Sequence, residues 1–141
     1  MVAERSSLDQ VCPRLDDGLL PARVLIVDDA PVFRQVAREL LERRGYTVVG
    51  EAGSAASAVD AVERLAPDAV LLDVRLADRS GFELSAILTR ANPDLAVLLV
   101  SADHVPASIA TMEECGARGF VFKSQLAATQ FANFWPSSKP G

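Results

Sequence analysis

The chain has 141 residues, half of them apolar, enough for one complete hydrophobic core and too few for a second domain of ordinary size. With 14 Lys and Arg against 19 Asp and Glu, it lacks the basic footprint of a nucleic-acid binder, so no direct nucleic-acid binding is expected. Cys12 and Cys115 are too few for a disulfide framework or a cysteine-rich zinc site, and no apolar stretch approaches a membrane span, which leads to the expectation of a cytoplasmic protein.

Residues 1–21 carry mixed charge, Pro13 and Gly18 without a period, and are expected to form a mobile or loosely packed tail. The domain proper is expected over 22–134, with a short Pro- and Ser-containing tail at 135–141. The first apolar run, Val24 to Val27, reads as a buried strand, and Pro31 to Arg44 follows as a helix with Phe33, Val36, Ala37, Leu40 and Leu41 at helical spacing. Val48-Val49 marks a second strand, and a helix from about Ser54 to Leu65 stops before Pro67. Ala69 to Leu72 is a third strand, and a helix beginning after Gly81 ends before Pro93. Ala96 to Val100 and Gly119 to Phe122 are the last strands, separated by a weak helix around Ser108 to Cys115. A short helix is expected from Ser124 to about Phe134. Short apolar runs alternating with amphipathic helices resolve as an α/β fold, a five-stranded parallel sheet with right-handed crossovers and helices on both faces.

In such a sheet, ligands bind beyond the carboxyl ends of the strands. The first strand runs into Asp28 and Asp29, the third into Asp73, the fourth into Ser101 and the fifth into Lys123. Three carboxylates crowded at neighbouring strand ends repel one another unless a counter-charge is present. Lys123 and a hard divalent cation such as Mg²⁺, which prefers oxygen ligands and often bridges carboxylates to a phosphate, would supply it. The plainer reading makes Asp28 and Asp29 helix caps and Asp73 the start of a turn.

Together, Val24-Leu-Ile-Val-Asp-Asp29, Leu71-Leu-Asp-Val-Arg-Leu76 with Gly81 eight residues beyond Asp73, Ser101-Ala102, and Phe120-Val-Phe-Lys123 resemble the response-regulator receiver family of two-component signalling over roughly residues 22–134. The resemblance implies the flavodoxin-like strand order 2-1-3-4-5. It also implies a phosphoprotein of a phosphorelay, not an enzyme acting on a separate substrate. In it Asp73 is the phospho-acceptor, and the donor is a histidine kinase or a histidine phosphotransfer protein. Asp28, Asp29, Asp73 and the backbone carbonyl of Arg75 are implied as Mg²⁺ ligands. Lys123 pairs with the phosphate and Ser101 donates its hydroxyl to it, while Ser101 and Phe120 together act as a switch that alters a protein-binding surface. Phe120 also reads as a core residue in any state.

The stretch Gly119 to Leu126 looks most like receivers of LuxR-type regulators, so a fragment of a DNA-binding transcription regulator is one alternative and a phosphorylation-independent binding module another. Formation of a homodimer stays open. Ala77 and Ser124 stand where the family often has proline. Arg75 and Asp103, each two residues beyond a site residue, read either as a pair across the cleft or as two separate exposed charges. Arg75 also replaces the second acid that an aspartate-based phosphohydrolase needs. The single histidine, His104, reads as a surface residue, which argues against a self-contained kinase. Phe131, Phe134 and Trp135 are expected either to pack on the sheet or to join an exposed contact surface.

Overall fold

The computed structural model describes residues 22–102 and 109–136. The tails at 1–21 and 137–141, with Cys12, Asp103 and His104, lie outside the described residues. Among the described residues, five strands and four α-helices alternate: β1 (Arg23–Val27), α1 (Pro31–Arg43), β2 (Thr47–Ala52), α2 (Ala55–Leu65), β3 (Ala69–Asp73), α3 (Gly81–Ala91), β4 (Ala96–Ser101), α4 (Ile109–Cys115) and β5 (Gly119–Phe122). All pair in parallel in the order 2-1-3-4-5, as expected.

The two sheet faces carry separate cores, because alternate residues of a strand point to opposite sides. Leu25, Val27, Val70, Leu72, Val97 and Leu99 pack under α2, α3 and Cys115. Val24, Ile26, Leu71, Leu98 and Val100 pack under α1 and the last segment of the chain. Every residue of β3 and β4 is buried, so their continuous apolar runs reflect cover on both faces.

Local signals set the helix ends. Pro31 opens α1, where a missing amide hydrogen costs nothing. Ser54 caps α2 through a reciprocal bond with Ser57, and the Asp78 carboxylate reaches over from the β3–α3 loop to accept from the amides of Ala55 and Ala56 at 2.9 and 3.1 Å. Those two bonds hold the Asp78 carboxyl below the usual carboxylate range. The loop that follows Asp73 is thereby tied to the start of the preceding helix, α2.

The expected last helix is corrected. Residues Lys123–Ala128 and Phe131–Asn133 form two 3-10 turns, broken at Thr129, whose backbone is extended. The carbonyls of Ala127 and Thr129, which an α-helix would offer to later amides, instead accept from the guanidinium of Arg44 at the end of α1. The turn lets Phe131 and Trp135 stack at 4.8 Å, with Tyr46 edge-on to both, so these rings pack and do not form an open surface. Trp135, assigned above to the tail, is buried in this cluster.

Candidate functional site

Asp28 follows the last residue of β1, Asp73 ends β3 and Lys123 follows β5, so the parallel register delivers all three to one edge of the sheet. One oxygen from each of Asp28, Asp29 and Asp73 falls within a cluster spanning no more than 4.8 Å. Asp28 is fully buried and Asp73 nearly so, while Asp29 is exposed.

Each carboxylate is held in its own way. Asp28 Oδ1 accepts from the amide of Ala30 at 2.8 Å, which turns the chain from β1 into α1. Asp28 Oδ2 lies 2.6 Å from Lys123 Nζ, an ion-pair distance, yet no hydrogen-bond donor among the described residues is aligned on it. Asp73 Oδ1 accepts from the amide of Arg75 at 3.2 Å, and Oδ2 is 3.6 Å from Lys123 Nζ. Lys123 therefore serves two carboxylates at once, and its ammonium lies 4.2 Å from the centre of the Phe33 ring.

One ammonium against three carboxylates leaves the cluster short of positive charge. Burial, followed by the neighbouring charges of Asp28 and Asp29, pushes Asp73 up to about 6, against the opposing effects of the Arg75 amide and Lys123. An under-compensated cluster of hard oxygens, one of them buried without an aligned donor, fits a divalent cation of the Mg²⁺ type.

Ser101, buried at the end of β4, lies one residue beyond the Val100 that pairs with Asp73. Phe120 is part-buried against the α2–α3 core and edge-on to Phe122 at 5.3 Å, within β5 and not within the acidic cluster. Two contributors escaped the sequence reading. Phe33 reads only as one of the apolar residues at helical spacing, and Arg34 is not among the candidates, although its Nη1 donates to the backbone carbonyl of Asp28 at 2.6 Å. A basic residue in the first turn of the helix that follows an acidic pair is the available signal.

A sequence profile of the response regulator receiver domain matches residues 24–131. The chain is 35% identical over 104 residues to the nitrate/nitrite response regulator protein NarP of Escherichia coli, the match covering 73% of this chain and 48% of NarP. It is 31% identical to the chemotaxis protein CheY of Thermotoga maritima, with 72% and 84% covered. The signal receiver domain of the response regulator NarL of Mycobacterium tuberculosis superposes with a TM-score of 0.67 at 32% identity, covering 77% of this chain and 91% of that one. The chain spans about half the length of curated regulators such as NarP. Among the described residues, no helix is long and apolar enough to cross a membrane.

Proposed function

This chain belongs to the response regulator receiver domain family, and on that premise we propose that Asp73 accepts a phosphoryl group from a histidine kinase or histidine phosphotransfer protein in a Mg²⁺-dependent reaction. The observation that carries this reading is the cluster of Asp28, Asp29 and Asp73 with Lys123 as its only ammonium among the described residues. The carboxylates of Asp28, Asp29 and Asp73 and the backbone carbonyl of Arg75 would hold the cation. When bound, it neutralises charge on the carboxylates and the phosphoryl oxygens.

A carboxylate oxygen of Asp73 attacks phosphorus as the bond to the donor's imidazole nitrogen breaks. The electron pair of that bond returns to the ring, and an acyl phosphate is left on Asp73. Lys123, already between Asp28 and Asp73, pairs with the phosphoryl oxygens as a point charge, and Ser101 donates its hydroxyl to one of them. Movement of Ser101 toward the phosphate and of Phe120 behind it then changes a protein-binding surface near β5. The protein is a cytoplasmic signalling module that assists its own phosphorylation and dephosphorylation.

Intact mass after incubation with acetyl phosphate tests the reading. A single phosphoryl adduct that needs Mg²⁺ and is lost in Asp73→Asn is expected. An adduct retained in that variant, or none under any condition, would overturn it.

Lys123, 3.6 Å from an Asp73 oxygen, also borders a groove beside the cluster. An apolar groove of about 600 Å³ runs from Lys123 along α1, lined by Phe33, Leu40 and Leu126 and by Val32 and Val36, which are 75% and 53% exposed. We assign this groove to the donor. Val36→Asp is expected to slow transfer from a histidine kinase by about tenfold while labelling by acetyl phosphate keeps its rate. Equal slowing with both donors would place the defect in the fold and not in docking.

The half-length match to NarP favours a second reading, in which this receiver governs an attached effector. A natural reading frame that continues into a helix-turn-helix segment would establish it.

A further inference from the structure

The geometry points to Arg34 as the residue that positions the acidic pair for a divalent cation, an inference that rests on reading Asp28 and Asp29 as cation ligands. Asp28 is gripped on three sides. Its amide donates to the carbonyl of Ala52 at the end of β2 at 3.0 Å, its Oδ1 accepts from Ala30, and its carbonyl accepts from Arg34 Nη1 at 2.6 Å. That carbonyl belongs to the peptide plane joining Asp28 to Asp29. Fixing it fixes the direction in which the exposed Asp29 leaves the loop.

Arg34 is itself held. Its Nε donates to Glu51 Oε1 at 3.1 Å, and the other Glu51 oxygen accepts from Arg38 Nε at 2.7 Å. Arg38 reaches Glu42 as well, at 3.3 Å. The Arg38 hydrogen bond, more than Arg34, keeps the Glu51 carboxyl below the usual range, so the brace stays charged at neutral pH. A planar guanidinium can bond a carbonyl and a carboxylate together, whereas an ammonium is a single point charge. Because Arg34 sits on a backbone oxygen, it adds positive charge beside the cluster without occupying a carboxylate oxygen needed by a cation. Space for it depends on Gly53, where an added Cβ would stand 3.3 Å from Arg34 Nη1.

Calorimetric Mg²⁺ titration of the full chain tests this, together with the Mg²⁺ dependence of labelling by acetyl phosphate. Arg34→Ala is expected to weaken Mg²⁺ binding by about tenfold, the scale on which residues orienting metal ligands act. The half-saturating Mg²⁺ for labelling should rise by the same factor, with the maximal rate unchanged. Arg34→Lys should recover only part of the affinity, and Glu51→Gln, which keeps Arg34 but loosens its brace, should shift affinity in the same direction. Full recovery by lysine would show that the paired bonds of the guanidinium to the Asp28 carbonyl and Glu51 are not needed, and overturn the inference. So would unchanged Mg²⁺ affinity in a folded Arg34→Ala protein. Absence of Mg²⁺ binding by the parent protein, or binding indifferent to Asp29→Asn, would instead sink the reading of the acidic site itself.

Discussion

In EDTA at pH 7.5, the Asp73→Asn protein is expected to unfold at a higher temperature than its parent. Asp73 is nearly buried and sits among Asp28 and Asp29, so its folded pKa stands at about 6 against an ordinary 3.8. A carboxyl with a raised folded pKa contributes stability that is complete below pH 3.8 and is lost as pH rises through about 6. At pH 7.5 the parent therefore carries the full cost of an ionised Asp73, on the order of 3 kcal/mol. Asparagine cannot ionise and escapes that cost. The gap in melting temperature should be about 5–10 °C for a domain of this size. It should close near pH 4, where the parent's Asp73 is protonated, and narrow in saturating Mg²⁺, which binds the folded parent. Equal midpoints in EDTA at pH 7.5 would show that Lys123 already balances the cluster.

Gly81→Ala is expected to cost about 3 kcal/mol of stability and to slow labelling of Asp73 as well. Gly81 opens α3, and its amide donates to the carbonyl of Val74 at 2.8 Å. A Cβ at this position would lie 2.3 Å from the carbonyl oxygen of Asp73 and 2.6 Å from Cα of Val74. Both are backbone atoms, which cannot rotate away as a side-chain end can, so either α3 or the end of β3 must move. Overpacking of well-packed positions costs about 1–3 kcal/mol, and a backbone clash lies at the upper end. A displacement near 1 Å at the reacting carboxylate costs roughly a hundredfold in rate. Thermal unfolding and acetyl phosphate labelling of the same preparation measure both effects. An unchanged melting temperature would mean that the β3–α3 junction yields freely.

The acidic strand ends were legible because each polar residue directly follows a run too apolar to be anything but buried, and that contrast marks the strand's end and the ligand edge together. β2 was seen only as Val48-Val49, whereas it runs from Thr47 to Ala52. Gly50 and Glu51 interrupt its apolar pattern, and a strand at the sheet edge can carry an exposed carboxylate when Arg34 and Arg38 cover it. Arg34 itself was hidden. It sits among the polar residues of an amphipathic helix, and its partners, six and seventeen residues away, meet it only after α1 has packed beside β2. The last segment misled for the same kind of reason. Its composition allows a helix, but Arg44 takes the carbonyls that a helix would need.

That arginine also gives the chain an order of assembly. The bonds from Arg44 to Ala127 and Thr129 span 83 and 85 residues, so they form only when nearly the whole domain has been synthesised. Until then, Leu41, Tyr46 and Val48 lack Phe131 and Trp135, and the face under α1 is only partly covered, while α2 and α3 can already cover the other. The segment from Leu126 to Trp135 is thus the latch that closes the second core.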